Sequence, residues 1–462
     1  MTSRPDIIAA APSPTGLSGL QTTDPNHNAQ YPEWLRERLA WFEDLKFGLF
    51  LHWGPYCQMG CIESWPLVED DPWARPGDLA AWVECGKDIK RFHERYWALN
   101  RTFNPVLFDP TVWADAAAYA GMKYLAFTTK HHDGFCMFNT QTTDYCVTHP
   151  DCPFSVDPRA NLARRVFDAF RARDFGISCY FSKSDWHSPN YWWPGAPATH
   201  RNPNYDTHAE PERWEGFVQF VHAQIRELMT DYGRMDALWL DGGQVRPPDQ
   251  DIRMDEIAAF ARELQPGLIM ADRTVGGPNE NILTPEQEVP DEPLPHTWES
   301  CLTMGTSWSY KPDDHYKSSR ELIHLLTDVV SRNGNLLLNI GPRPDGTLPS
   351  AALGRLREIG DWMAVNSEAI HGSRAIAPYG EGNVRFTTRA GFVYAIVQSP
   401  ADDAPPPSEV TLKGLQPGDG GEVKLLGRDE PLQWRREGEV TKVSLPGWPL
   451  PCKGAWVLRF EG

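Results

Sequence analysis

From Lys46 to Ser367 the chain alternates between short stretches that are apolar at nearly every position and longer ones that are apolar every third or fourth position. The short stretches are "KFGLFLHWG" (46–54), "MKYLAFTTKHHDG" (122–134), "ISCYFSKSDW" (177–186), "MDALWLDGG" (235–243), "LIMADR" (268–273) and "NLLLNIGP" (335–342). Continuous apolar runs of this length predict strands buried on both faces. The longer stretches predict helices over 111–121, 159–176, 210–233, 254–267, 319–334 and 351–367. In the second of these Leu162, Val166, Phe167 and Phe170 share one face, and Gly176 ends the run. Strands alternating with helices imply a parallel sheet covered by helices. Six strands, with room for two more between 290 and 312, approach the eight of a (β/α)8 barrel, so the fold class is α/β with a (β/α)8-like catalytic domain over 31–372.

After Gly372 the pattern changes to short segments of period two, such as "VRFTTRAGFVYAIVQ" and "EVTLKGL", broken by "PADDAPPP" and "PGDGG". That texture predicts a C-terminal β-sandwich over 373–462. Residues 1–30, rich in Pro, Ser, Thr and Asn and without periodicity, read as a flexible leader. Two insertions, 56–110 and 187–209, follow predicted strands and are dense in Trp, Pro and Asp, as loops over a barrel mouth would be.

Charge narrows the classes of partner. With 44 basic and 62 acidic residues the net charge is −18, which disfavours nucleic acid and anionic membranes. No run reaches the roughly 20 apolar residues of a membrane span, and no secretory signal is visible, so a cytoplasmic location is expected. Nine cysteines leave at least one without an internal partner and lack CxxC spacing, so neither a disulfide framework nor a structural zinc site is expected. The 19 tryptophans are the unusual feature, since indoles pack on the apolar faces of sugars as well as in cores.

Each predicted strand ends on polar or aromatic residues: His52 and Trp53, His131 and His132, Asp185 and Trp186, Asp241, Asp272 and Arg273, and Asn339. In a parallel barrel these ends share one face, so residues far apart in sequence converge there. Asp241 in "LWLDGG" then stands among groups able to hold a ligand rich in hydroxyls. Retaining glycoside hydrolysis suits that ring, because it requires a carboxylate nucleophile and a carboxylic acid about 5–5.5 Å apart. Asp241 is the candidate nucleophile; its other reading is a strand-end Asp that caps the following turn. Glu299 in "HTWESC" and Glu63 in "GCIESW" are candidate acids, with Trp298 or Trp65 positioned to raise the carboxyl pKa by desolvation. In "KHHDGF", His131, His132 and Asp133 could supply metal ligands, but neighbours on a strand face opposite ways. No metal and no cofactor is expected, and no GxSxG, GxGxxG or Walker motif occurs.

"WFEDLKFGLFLHWGPY", "KHHDGFCMFNTQTTDY", "LWLDGG", "WESCLTMGTSWSY" and "NGNLLLNIGPRPDGTLP", in this order over about 31–372, resemble the successive motifs of the α-L-fucosidases of glycoside hydrolase family 29. The resemblance implies a (β/α)8-like domain followed by a β-sandwich, and a retaining exo-acting enzyme that uses neither metal nor cofactor. It makes Asp241 the nucleophile and Glu299, 58 residues on, the acid/base. It further implies that His52, His131, His132, Tyr180, Trp239 and Arg273 bind the sugar. Glu63 and Trp65 join them, although Ser64 splits the family's Glu-Trp pair. The expected partner is a fucosylated oligosaccharide or glycoconjugate. The alternatives are a glycosidase for a related sugar such as α-L-galactose, or a non-catalytic sugar-binding protein on the same scaffold.

Overall fold

The computed structural model describes residues 30–447 and 450–462. Apart from Gln30, the expected leader lies outside the described residues. Seven parallel strands are present: β1 (Phe47–Leu51), β2 (Tyr124–Lys130), β3 (Gly176–Ser182), β4 (Ala237–Asp241), β5 (Ile269–Asp272), β6 (Glu299–Thr303) and β7 (Asn335–Ile340). They curl in the order β5-β4-β3-β2-β1-β7-β6. Among the described residues no ladder joins β5 directly to β6; an extended segment, 279–287, fills the gap. Glu280 bridges Ala271 of β5 antiparallel, while Leu283 and Glu286 bridge Trp298 and Cys301 in parallel. This corrects the expectation of two strands between 290 and 312: one forms there, and closure falls to an earlier stretch. Pro285 denies that stretch an amide of a regular ladder, and Pro278 and Pro290 bound it.

Side chains alternate between two cores. Phe50, Ala126, Tyr180, Ala237, Trp239, Ala271, Cys301 and Leu337 fill the barrel interior. Leu49, Leu51, Phe127, Phe181, Leu238, Leu240, Met270 and Leu338 face the helices. Period two therefore directs Asp241 inward with Trp239, while Leu238 and Leu240 point out. A helix that the periodicity reading passed over, α1 (Glu33–Leu45), closes the floor of the barrel. Its Leu35, Leu39 and Phe42, spaced as one helical face, join the interior core. Arg38 fixes it by pairing with Asp236 at 2.8 Å, just before β4.

The first insertion contains two short helices, α2 (Ala80–Glu84) and α3 (Ile89–Trp97). The outer layer is α4 (Pro110–Tyr119), α5 (Leu162–Arg171), α6 (Pro211–Asp231), α7 (Met254–Leu264), α8 (Ser319–Ser331) and α9 (Ser350–Asn366). Each lies within its predicted range or within one residue of it. Side-chain caps set several starts: Asp109 before α4, Asn161 before α5, and a reciprocal Ser318–Glu321 box before α8.

The C-terminal region forms two antiparallel sheets. The first comprises β8 (Arg374–Glu381), β9 (Val384–Arg389), β10 (Phe392–Gln398), β12 (Lys424–Leu425) and β15 (Ala455–Glu461). The second comprises β11 (Glu409–Leu412), β13 (Trp434–Glu437) and β14 (Val440–Ser444). Phe386, Val393, Val410, Val443 and Trp456 pack between them as a sandwich core. The sandwich docks on the last two barrel helices, where Trp362 Nε1 donates to the Ala455 carbonyl at 2.9 Å and Gln398 Nε2 donates to Thr327 Oγ1 at 3.0 Å.

Candidate active site

Asp241 is the last residue of β4, and the turn after it explains both glycines. Gly242 has φ +90°, open to glycine at little cost, and a Cβ on Gly243 would lie 1.9 Å from Thr274 Oγ1. The chain can thus leave the strand at once without covering the carboxylate. Asp241 Oδ1 accepts from Gly242 N at 2.8 Å and from Arg273 Nη1 at 3.2 Å. Oδ2 accepts from the Tyr180 hydroxyl at 2.7 Å. The turn-capping bond is therefore real, and it occupies only part of the carboxylate. Burial would raise the pKa of Asp241, but the Arg273 guanidinium and the Tyr180 hydroxyl overcome it and hold the group well below the usual carboxylate range.

Three imidazoles face this anion. The Asn339 amide donates through Nδ2 to the Trp308 carbonyl at 2.7 Å, so its Oδ1 accepts from His52 Nδ1 at 2.7 Å. Ser182 Oγ donates to the Ser184 carbonyl at 2.7 Å and accepts from His132 Nδ1 at 2.6 Å. His131 Nδ1 is bonded to Ser64 Oγ. With Nδ1 committed as donor on His52 and His132, their Nε2 atoms are acceptors for hydroxyl protons. Burial keeps the rings neutral: His52 and His132 are pushed down to about 4 and His131 well below its ordinary value. His132 Nε2 lies 3.8 Å from Asp241 Oδ2, two acceptors spaced to receive a hydroxyl rather than each other. Tyr180 stacks on Trp239 at 5.2 Å, and Trp65 stands edge-on to His132 at 5.1 Å, giving the cup aromatic walls.

Three glutamates were brought into the barrel, at three depths. Glu299 opens β6, at the opposite end of the strands from Asp241, where Tyr124 Oη and Trp239 Nε1 donate to it at 2.9 and 2.7 Å. Its expected place at the mouth is therefore corrected: as the first residue of a parallel strand it belongs to the floor. Desolvation pushes it up to about 7. Glu63 is 1 % exposed at φ +30°, a left-handed backbone that bulky residues rarely adopt. Its Oε1 accepts from Ser309 N at 2.7 Å, its Oε2 has no partner among the described residues, and burial raises its pKa well above the ordinary value. Glu286, on the closing segment 279–287, pairs with Arg273 Nη2, and its side chain is 26 % exposed.

The expected sugar-binding set thus converges: His52, His131, His132, Tyr180, Trp239, Arg273 and Trp65 each contact Asp241 or one another, and Glu63 is joined to them through its neighbour Ser64, which bonds His131. Both histidines of "KHHDGF" turn toward Asp241, against the expectation from strand alternation, because β2 has already ended at Lys130. Asp133 instead accepts from Tyr96 Oη at 3.0 Å. His131, His132 and Asp241 offer ligand atoms within 4.8 Å of one another, a spacing that could hold an ion. Any cation there would meet the Arg273 guanidinium, 3.2 Å from the same carboxylate. Sequence reasoning missed Glu286 and Trp308, whose ring lies 5.0 Å from that of His52. Trp308 sat in plain view within "TSWSY"; Glu286, in irregular chain, had no periodic signal to mark it.

A family model described as Alpha-L-fucosidase matches residues 21–368. Human plasma alpha-L-fucosidase is 28% identical over 464 residues, covering 94% of this chain and 94% of that one. Rat tissue alpha-L-fucosidase is 27% identical, with 98% of this chain and 96% of that one covered. Among solved structures, alpha-L-fucosidase isoenzyme 1 from Paenibacillus thiaminolyticus superposes with a TM-score of 0.76 at 30% identity, over 93% of this chain and 99% of that one. Thermotoga maritima alpha-fucosidase in complex with fucose gives 0.71 at 26% identity, over 92% and 98%.

Proposed function

The chain belongs to the α-L-fucosidase family, glycoside hydrolase family 29, and from that premise we propose how its cup removes a terminal α-L-fucosyl residue with retention. Asp241 attacks the anomeric carbon while an acid protonates the departing glycosidic oxygen; the same acid, as its conjugate base, then draws a proton from the water that releases the sugar. The observation that carries the assignment is the Arg273 guanidinium, whose Nη1 binds Asp241 and whose Nη2 binds Glu286. Two carboxylates joined by one guanidinium flank a single bond. Of the pair, Asp241 has three donors and is the better anion.

Glu286 is the proposed acid/base. The leaving group must depart toward solvent, and Glu286 is partly exposed whereas Glu63 is buried against Tyr96 and Glu299 lies under the Trp239 ring. Glu63, with its unpartnered Oε2, and the Nε2 atoms of His52 and His132 take the sugar hydroxyls. Trp308 and Phe50, whose rings are 6.0 Å apart, form the apolar side that suits the C6 methyl of fucose over a hydroxymethyl.

The test is a pair of variants assayed on an activated aryl α-L-fucoside and on unactivated oligosaccharides. Asp241→Ala should lose at least about 10³-fold on both, and azide should restore turnover with the β-fucosyl azide as product. Glu286→Ala should keep most activity on the aryl fucoside and lose it on natural linkages, because a good leaving group requires little protonation. Selective loss in Glu63→Ala or Glu299→Ala instead would reassign the acid.

A further inference from the structure

Beyond the cup, the aromatic wall continues outward and ends on a ring that is partly open to solvent. His132, 3.8 Å from Asp241, meets Trp65 edge-on at 5.1 Å, and Trp65 in turn meets Trp73 at 5.8 Å. Trp65 also abuts Trp186 at 5.7 Å, which stacks on Trp192 at 5.2 Å. Along this row exposure rises from the buried His132 to Trp73, which is 41% exposed. A lone exposed tryptophan on a protein surface carries no message. This one is held in a frame.

The frame is built from both insertions. Trp73 sits in a single 3-10 turn, Pro72–Ala74, with the proline setting its first residue. Its Nε1 donates to Asp71 Oδ1 at 3.1 Å, and Asp71 is gripped by Arg201 Nη2 at 3.1 and 3.0 Å. The Arg201 guanidinium lies over the Trp65 ring at 4.8 Å, and its carbonyl accepts from Trp186 Nε1 at 3.0 Å. Asp70 N donates to the Thr199 carbonyl at 2.8 Å, so the two loops are tied at a second point. The indole N–H of Trp73 is thus engaged by its own loop, which leaves the ring face, not the polar edge, for a ligand. A braced aromatic face costs little conformational entropy when something stacks on it.

We propose that Trp73 is the stacking platform for the sugar on the aglycone side of the scissile bond, and so a specificity-determining residue of this enzyme. Resting on the fucosidase reading above, the inference names the substrate class: oligosaccharides in which the residue bearing fucose is a pyranose with an apolar C–H face to lay on the indole. His132 and Trp65 border the fucosyl unit; Trp73 is one ring further from the nucleophile, as the next sugar is one unit further from fucose.

The experiment compares Trp73→Ala and Trp73→Phe with the parent on α-L-fucosyl fluoride, which has no aglycone ring, and on a panel of α-L-fucosyl oligosaccharides of different linkage. For Trp73→Ala, kcat/KM on the oligosaccharides that the parent cleaves should fall about tenfold or more while the fluoride rate stays within about twofold. Trp73→Phe should recover most of the difference. Equal losses on both substrates would make Trp73 a structural residue only. No loss on any oligosaccharide, or a parent that cleaves the fluoride but no oligosaccharide, would also overturn the platform. A parent inactive on the fluoride itself would instead sink the fucosidase reading, a separate result.

Discussion

Asp241 and Glu299 are carboxyl groups inside the same barrel, yet their surroundings drive them in opposite directions. Asp241 has a guanidinium, a phenol and a backbone amide to hold its charge. Glu299 accepts from the neutral Tyr124 hydroxyl and Trp239 indole, with Arg273 acting on it only from a distance, and burial pushes it up to about 7. Its evident work is mechanical, because the indole it accepts from supports the Tyr180 ring, which in turn donates to Asp241. Glu299→Gln keeps an acceptor for Trp239 and should lower activity on aryl and natural fucosides by the same modest factor. A loss confined to natural linkages would return the acid role to Glu299. The variant also has a sign to check. A raised carboxyl pKa favours folding below the unfolded value and is lost as pH rises through the folded one. Removing it should therefore stabilise the protein increasingly from about pH 4.5 to above 7, by up to about 3 kcal/mol, read by urea denaturation.

At the scale of elements, β4 is set between its neighbours by a buried ion pair on the outer side. Lys183, just past β3, donates its backbone N–H to the Asp241 carbonyl at 2.9 Å, and its Nζ reaches Asp272 Oδ1 at the end of β5 at 2.6 Å. Both side chains are almost wholly buried, at 1 % and 4 %. Breaking such a pair leaves an uncompensated charge, so Lys183→Met should cost about 3–5 kcal/mol, and Lys183→Met with Asp272→Leu should recover much of it. Additive losses in that cycle would mean the two groups are held independently. Strand ends of this kind were legible in the sequence because period two and burial on both faces leave a sharp mark. Asp241, Arg273 and His52 could be placed from that mark alone, whereas Tyr180, inside its strand, was marked only by the family resemblance. The closing segment 279–287 could not be, because its pairing is imposed by β5 and β6 rather than by any alternation of its own. Glu286 was lost with it. Glu299 misled for the reverse reason: its motif was clear, but which end of β6 it occupied was a matter of register, which no local pattern states. Helix α1 escaped because its apolar face, Leu35, Leu39 and Phe42, precedes the first strand, where an alternation that starts with β1 does not look.

For the whole molecule, the buried titratable groups set how folding responds to pH. His52, His132 and His371 are pushed down to about 4, His131 well below its ordinary value, and His93, His187 and His324 below theirs, all chiefly by burial. A depressed imidazole contributes stability above the unfolded value near 6.5 and loses it as pH falls toward 4. Asp133, Glu280 and Glu299 are pushed up to about 7, and Glu63 well above its ordinary value, again chiefly by burial. Each of these contributes below about 4 and loses its share as pH rises. Between about pH 4.5 and 6.5 these seven imidazoles, which take up protons more readily when unfolded, oppose four carboxyls, which keep theirs longer when folded, and the imidazoles prevail, so stability rises with pH. Above about 7 the unfolded imidazoles too are mostly neutral and change little, while the carboxyls are still being forced to ionise inside the fold. Lys46, lowered to about 7 by burial, offsets part of that loss from pH 7 upward, one proton against several. Urea midpoints taken across the range should thus rise from about pH 4.5 to 6.5 and stop rising above about pH 7. In Glu299→Gln the rise should be steeper, since one carboxyl no longer opposes the imidazoles. A parent whose stability climbs steadily through pH 8 would show that these carboxyls are ionised in the native protein, and that the barrel interior is wetter than its packing implies.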